Sequence, residues 1–291
     1  MVELHRLRVK WMGELEKAGV YAPAFELCEI IEHATGLDRA HQLAFDAALT
    51  HAQITAVEAL LAIRCTGKPL QYILGKWEFY GLDFYVGEGV LIPRADTETL
   101  VEFGLEQLKG IAAPRVADLC SGSGCIAIAL AKNLPASQVT AAELSDAAYG
   151  YLTRNIALNE AGNVAPLKMD VLAEGSPRML EASGGGAGIA CFDLIVSNPP
   201  YVRTAELQGL QREVQYEPMM ALDGTASGLY FYREITRLYK NSLKKGGWLA
   251  YEVGDDQSHD VQKILQQNGF ANIATKKDLG DFERVVAGMR P

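Results

Sequence analysis

The sequence predicts an α/β fold: a doubly wound, mostly parallel sheet ending in an antiparallel C-terminal hairpin, with a small helical unit ahead of it. Three observations carry this prediction. From about residue 115 short apolar runs alternate with amphipathic segments, the pattern that builds a parallel sheet with helices on its faces. The last two apolar runs are joined only by Leu279-Gly280-Asp281, too short for a crossover, so they pair antiparallel. The first ~65 residues carry apolar residues at helical spacing and hold no glycine-rich loop.

In chain order, Leu4, Leu7, Trp11 and Leu15 form one helix face. Phe25, Leu27, Cys28, Ile30 and Ile31 form a second after Pro23, a good first-turn residue, and Gly36 ends that helix. Thr55 to Arg64 repeats the pattern with Val57, Leu60, Leu61 and Ile63. Trp77 to Tyr80 and Leu82 to Val86 read as a β-hairpin turning at Gly81. Asp96 is placed as a helix N-cap, with Glu98 favourable in the first turn. Strands follow at Val116–Leu119, Val139–Ala142, Val164–Met169, Phe192–Ser197 and Trp248–Val253, then Ala271–Lys276 and Phe282–Ala287. Helices are expected at Ile126–Ala131, Ala147–Ala157, Gly228–Leu238 and Val261–Gln267. The run Ser183-Gly184-Gly185-Gly186-Ala187-Gly188 reads as a flexible surface insertion. The resulting division is a helical domain at residues 1–68, a hairpin linker at 69–92 and a catalytic domain at 93–291, in keeping with about 150 residues per domain.

Composition narrows the function. Hydrophobic residues make up 49% and charged residues 22% of 291, as in ordinary globular proteins. The net charge of −9 argues against a broad nucleic-acid footprint, which needs a basic face. Five cysteines, odd in number and without a Cys-x-x-Cys pair, read as buried free thiols. Five scattered histidines give no metal-ligand spacing, so no metal is expected. No secretory segment opens the chain and no apolar run is long enough to span a membrane. A cytoplasmic location is therefore expected.

Two motifs carry chemistry. Asn198-Pro199-Pro200-Tyr201 follows the apolar strand ending at Ser197, at the strand end where open α/β sheets bind ligands. Asn198 offers a side-chain carbonyl, and the two prolines remove backbone donors while leaving carbonyl acceptors. Tyr201 adds an aromatic face. Such a cradle suits a planar –NH2 group, the substrate of amino or amide nitrogen methylation. The second motif is Asp118-Leu119-Cys120-Ser121-Gly122-Ser123-Gly124, where the first strand meets its helix. Glycines there allow close approach to the backbone. The spacing lacks the third glycine of a dinucleotide loop. Glu143 ends the next strand, where an acidic group accepts from ribose hydroxyls. Asp170, at the third strand end, can pair with an adenine amino group or serve as a turn residue.

Together these residues resemble the S-adenosylmethionine-dependent class I methyltransferases, and more narrowly the bacterial release-factor glutamine methyltransferases of the HemK type. The resemblance spans nearly the whole chain. It includes the helical N-terminal unit, Leu91-Ile92-Pro93-Arg94-Ala95-Asp96-Thr97-Glu98, Asp118 to Gly124, Asn198 to Tyr201, Glu217-Pro218 with Ala221-Leu222, and Asp281-Phe282-Glu283-Arg284. It implies a class I methyltransferase fold that binds S-adenosyl-L-methionine and releases S-adenosyl-L-homocysteine. It further implies methylation of the glutamine side-chain nitrogen in the Gly-Gly-Gln loop of peptide chain release factors.

By the same resemblance Asp118, Cys120, Ser121, Gly122, Ser123 and Gly124 surround the methionine part of the cofactor. Glu143 takes the ribose, and Asp170 and Val171 lie near the adenine. Asn198 touches cofactor and substrate, while Pro199, Pro200 and Tyr201 complete the substrate pocket. Asn198, Pro199 and Tyr201 are the catalytic set. The family usually has Gly at the position of Cys120, often Asp at that of Glu143, and at times an aromatic residue at that of Val171. Arg94, Asp96, Glu98 and Glu217 have either a site-lining or a loop-fixing reading, and Asp281, Glu283 and Arg284 read as structural. No membrane or direct nucleic-acid partner is expected. The rival functions are an adenine-N6 nucleic-acid methyltransferase using the same tetrapeptide, a non-catalytic nucleotide-binding module, and a nicotinamide dehydrogenase, which the glycine spacing disfavours.

Overall fold

A computed structural model describes residues 1–44, 47–183 and 190–291. The expected glycine-rich insertion lies outside the described residues except for Ser183, the last residue of a helix over Ser176–Ser183. The chain forms two compact units: Met1–Lys76 with Gln211–Tyr216, and Trp77–Leu210 with Glu217–Pro291.

The first unit is helical, with helices over Leu4–Lys17, Pro23–Thr35, His51–Cys65 and shorter turns between them. Pro23 starts the second helix and Gly36 ends it in the left-handed region at φ +74°, both as the sequence predicts. Thr50 caps the third helix in a reciprocal capping box with Gln53. Leu4, Trp11, Leu15, Leu27, Ile30, Ile31, Val57 and Leu61 are buried. Phe25 and Ile63 are not, at 47% and 42% exposed. Arg64 takes the inward place instead, paired with Glu26 and with Glu213 of the returning segment. Apolar periodicity cannot register a buried charge that brings its own partners.

The second unit is built on a seven-stranded sheet. Its strands are β1 (Arg115–Leu119), β2 (Gln138–Glu143), β3 (Val164–Lys168), β4 (Phe192–Ser197), β5 (Leu243–Glu252), β6 (Ala271–Lys277) and β7 (Glu283–Met289). Their spatial order is β6-β7-β5-β4-β1-β2-β3. β1 to β5 run parallel to one another, and β7 is antiparallel to both β5 and β6. The predicted mixed sheet is therefore present, with β7 slotted between β5 and β6. Pro166 sits in β3, at the sheet edge where a missing N–H is tolerated. β5 begins earlier than the apolar run suggests, because Lys244 to Gly247 extend it polar-side first. There the pairing with β4 shifts register, and Gly246 takes φ +78°.

Strand alternation divides the core between the two faces of the sheet. Val116, Leu194, Val196, Ala250, Val285 and Ala287 join one cluster, with Leu100, Phe103, Ile128, Leu130 and Leu152 from helices. Ala117, Leu119, Ile195, Leu249, Tyr251 and Val286 join the other, with Tyr232, Ile235, Tyr239, Val261 and Leu265. Each Val, Leu, Ile or Phe side chain among them contributes about 1.5–3 kcal/mol on burial. The hairpin over Lys76–Phe79 and Leu82–Tyr85 turns through Tyr80 and Gly81 at φ +54° and +73°, the paired left-handed conformation of a tight hairpin turn. Its Phe79 and Phe84 belong to the first of these clusters.

Candidate active site

The register of three strands creates the site. Leu119 at the end of β1 lies opposite Ser197 of β4 on one side and Ala142 of β2 on the other. The loops that start at Cys120, Glu143 and Asn198 therefore emerge side by side at the C-terminal edge, where the strand order reverses. They line a cleft enclosing about 940 Å³, part of it open to solvent.

The glycine loop supplies one wall. Cys120, Ser121, Gly122 and Ser123 line the cleft. Gly122 sits at φ +56°, and a Cβ there would meet nothing within 4 Å, so its face is open for a ligand to lie against the backbone. Gly124 sits at φ +83° and has no such room: a Cβ would come within 2.4 Å of Leu152. It begins the helix Cys125–Asn133 and sits behind the lining residues. Cys120 itself takes φ +63°, a left-handed conformation that favours glycine. Burial pushes the Cys120 thiol well above its ordinary range and the Cys125 thiol to about 12, so both stay protonated. Among all five free cysteines, Cys125 and Cys191 are buried and Cys28, Cys65 and Cys120 partly so.

Acceptors surround this wall. Glu143 receives the Gly122 N–H at 2.8 Å and the Ser145 N–H at 2.7 Å, one on each carboxylate oxygen. Its remaining lone pairs are available to hydroxyl donors. Asp170 is exposed; one carboxylate oxygen accepts the Leu172 N–H at 2.8 Å. Val171, buried to 5%, and Leu144 add apolar surface. Asp118 does not line the cleft. It is fully buried behind the loop, accepts the Ala127 N–H at 3.2 Å, and burial pushes its carboxyl up to about 7. The donor and acceptor set, the open glycine face and the apolar flank fit a nucleoside cofactor with a charged amino-acid tail.

Of the tetrapeptide, Asn198 and Pro200 line the cleft; Pro199 is buried and Tyr201 is half-buried beside them. Asn198 Nδ2 donates to Thr97 Oγ1 at 3.4 Å, which leaves Oδ1 as its acceptor end. The Tyr201 hydroxyl donates to Glu252 at 3.3 Å, and burial raises its pKa above the usual phenol range. The backbone is clamped from the far side. The Tyr201 carbonyl accepts from Gln257 Nε2 at 2.9 Å. Val202 donates to the Leu222 carbonyl and accepts from Gly224. A Cβ on Gly224 would fall 2.6 Å from the Tyr201 Cα, and one on Gly228 2.5 Å from its carbonyl oxygen.

The charged motifs around the cleft act as braces, and Arg94 also lines the cleft. Glu217 is buried, accepts the Ile92 N–H at 2.9 Å and pairs with Arg94. Arg284 pairs with Asp278 and Asp255 at 2.9 and 2.8 Å and reaches Asp96 at 3.4 Å. Asp96 is thus not the predicted N-cap: its carboxylate serves Arg284, and no side chain caps the helix Glu98–Gln107. Glu98 accepts the Tyr80 N–H at 2.9 Å, fastening the hairpin. Asn155, which the sequence reading passed over, brackets Tyr85 and also donates to the Ser123 carbonyl at 2.9 Å. Thr97, Gln257, Gly224 and Gly228 were likewise missed. A glycine pair within a loop is a weak signal, and a polar residue inside an amphipathic helix gives none.

Residues 7–75 match a family model described as the PrmC N-terminal domain, and residues 96–213 one described as the methyltransferase small domain. The release factor glutamine methyltransferase of Geobacter sulfurreducens is 43% identical over 95% of this chain and 93% of its own length. That of Fusobacterium nucleatum is 44% identical over 75% of this chain, which spans 59% of that longer protein. Among solved structures, the hMettl16 catalytic domain in complex with a MAT2A 3′UTR hairpin superposes with a TM-score of 0.58 at 17% identity, covering 80% of this chain and 82% of that one. That likeness shows the methyltransferase fold alone. On identity and coverage, with the fold and cleft just described, the chain belongs to the release factor glutamine methyltransferase family.

Proposed function

We infer that the cleft transfers a methyl group from S-adenosyl-L-methionine to the side-chain amide nitrogen of the glutamine in the Gly-Gly-Gln loop of peptide chain release factors. One observation carries the reading: Asn198, with its amide nitrogen engaged by Thr97, presents an acceptor in the same cleft as the open face of Gly122. Bound there, the cofactor supplies an electrophilic methyl on a sulfonium. The chain supplies position and polarity. Cys120 to Gly122 and Ser123 receive the methionine part, Glu143 the ribose hydroxyls, and Asp170 with Val171 the adenine. Asp118 and Gly124 act from behind by shaping the loop.

A glutamine amide nitrogen is a poor nucleophile because its lone pair is delocalised into the carbonyl. Asn198 Oδ1 accepts one N–H of the substrate and the Pro199 carbonyl the other, with Pro200 and Tyr201 packing the planar amide. As the nitrogen gains positive charge, these acceptors hold it more tightly than in the ground state. Fixing nitrogen and methyl at ~3–3.5 Å provides the proximity contribution. The proton leaves after transfer, when the nitrogen is strongly acidic. Residues 1–68 are the release-factor-selecting domain, 69–92 connect it, and 93–291 perform the chemistry; the separate match of residues 7–75 to a domain family supports this division. Among the described residues no helix is long and apolar enough to cross a membrane.

Mass spectrometry of a release factor incubated with the enzyme and cofactor tests the assignment. One added methyl on the Gly-Gly-Gln peptide is expected. Methylation of adenine in a nucleic-acid control, with an unchanged release factor, would overturn it.

A further inference from the structure

The loops at the C-terminal edge of the sheet lie in the order of their strands. Asp170 and Val171 follow β3, Glu143 ends β2, Cys120 to Gly122 follow β1 and Asn198 follows β4. Strand order makes the edge from β3 to β4 three spacings long, about 14 Å at ~4.8 Å each. A cofactor laid along it, with adenine by Asp170, ribose on Glu143 and methionine part against Gly122, brings its amino-acid tail to the β1–β4 end. That tail carries a carboxylate as well as an ammonium. The acids that line the cleft, Glu143 and Asp170, repel a carboxylate. Among the described residues that line the cleft, Arg94 is the only basic side chain.

We propose that Arg94 binds the carboxylate of S-adenosyl-L-methionine and so fixes the tail end of the methyl donor. Arg94 stands at the β4 end of the cleft. Its carbonyl accepts the Thr97 N–H at 3.1 Å across the short turn Ala95–Thr97, and Thr97 Oγ1 accepts from Asn198 Nδ2 at 3.4 Å. The Arg94 side chain is 40% exposed, whereas that of its partner Glu217 is 1% exposed. The pair is therefore asymmetric: the carboxylate is sunk in the protein and the guanidinium reaches the cleft. Glu217 is anchored in turn, Oε2 accepting the Ile92 N–H at 2.9 Å while Oε1 takes Arg94 Nη2. One carboxylate does not exhaust a guanidinium, whose planar fork carries further N–H donors and matches a second carboxylate bidentately. Because Glu217 already holds the long side chain in place, a ligand that pairs with it has less ordering entropy to overcome. Ile92 and Pro93 line the cleft beside it, and such apolar neighbours exclude water and strengthen the pairing. Arg94 thus selects an amino-acid-bearing nucleoside over one without the carboxylate, a role that rests on the cleft holding this cofactor.

The test is binding calorimetry on wild type, R94K, R94Q and R94Q/E217Q with two probes, S-adenosyl-L-methionine and its decarboxylated form. Wild type is expected to bind the first about 10- to 100-fold more tightly than the second, the range of a charge-assisted hydrogen bond. R94Q should weaken the first by about that factor and leave the second within about twofold, so that the preference collapses. R94K, a point charge without the fork, should fall between. R94Q leaves Glu217 buried without its cation, which thermal melts will register. R94Q/E217Q removes that carboxylate charge as well and should show the same lost preference, so a poorly folding R94Q does not decide the outcome. Equal weakening of both probes, or an unchanged preference in folded R94Q and R94Q/E217Q, would overturn the proposal and leave Arg94 a brace. No release factor enters the experiment. If wild type bound cofactor yet left the release factor unmethylated, the substrate reading would fall while this comparison still decided the role of Arg94. Wild type that binds neither probe would remove the cofactor and this role together.

Discussion

The loop from Cys120 to Gly124 and the loop from Asn198 to Tyr201 meet in one cleft but are held in different ways. The first is shaped mostly by its own backbone. Three of its residues have positive φ, and Glu143 and Asn155 pin it from the adjoining strand and helix. The second has two prolines to stiffen it and otherwise depends on distant segments: Thr97, Leu222, Gly224, Gly228, Glu252 and Gln257 all press on it or bond to it. A cofactor loop can be local because its ligand approaches an exposed backbone. An acceptor that must face one way needs a rigid surround, and a surround is assembled from many parts of a chain.

The comparison can be broken most sharply at Asn198. Asn198→Ala should lower kcat on the order of 100-fold or more, by the loss of one preorganised polar contact. Steady-state methyl transfer with circular dichroism as a folding control checks this, and near-wild-type turnover in a folded variant would remove Asn198 from the mechanism. Next comes Gly224→Ala, which forces a methyl group against the Tyr201 backbone. A loss of about 1–3 kcal/mol in stability is expected from such overpacking, with a roughly tenfold lower kcat and cofactor affinity unchanged. Denaturant melts and calorimetry separate the three quantities. Gly122→Ala should do the opposite: its Cβ projects into open space in the cleft, so cofactor affinity falls about tenfold (~1.4 kcal/mol) while kcat at saturation is nearly preserved. If both glycine variants damage the same parameter, the two loops are not independently built.

The last expected effect concerns Asp118 and is read through pH. Its carboxyl, pushed up to about 7 by burial in the folded state, titrates near 3.9 when unfolded. Between these values the folded chain holds a proton that the unfolded chain has lost. Stability is therefore fully present below pH ~4 and declines as pH rises to about 7, by at most about 1.4 kcal/mol per pH unit. Asp118→Asn does not titrate, so its melting temperature relative to wild type should increase with pH from 4.5 to 7.5. A difference that is flat across that range would show that Asp118 is ionised throughout.

This contrast also explains what the sequence could and could not reveal. Period-two runs such as Phe192 to Ser197 and the glycine spacing after Leu119 are local signals, so the sheet, the glycine loop at the strand end and the position of Asn198 were legible. Gly246 and Gly247 hid the start of β5, because a bulge interrupts the alternation that marks a strand. Asp96 had the residue type and position of an N-cap, but a partly exposed carboxylate is taken by the strongest donor within reach, here Arg284. Arg64 ends an apolar helical run in the sequence, yet it is among the most buried side chains. In each case the deciding partner lies far along the chain, and spacing within one segment carries no trace of it.

The insertion of β7 between β5 and β6 bears on how the enzyme is made. During synthesis the helical unit and strands β1 to β4 emerge before β5 to β7, and earlier parts of a chain commonly fold before the rest is made. The cofactor wall can then form early, since all its residues precede β4. The acceptor side cannot. Arg284, which gathers Asp96, Asp255 and Asp278 near Thr97 and Glu252, sits in β7, and β7 follows the other six strands of the sheet in chain order. A nascent chain lacking residues 283–289 would have the glycine-loop wall of the cleft but not the Arg284 brace beside the acceptor loop. The sheet that carries the acceptor loop is thus completed only when β7 has been made.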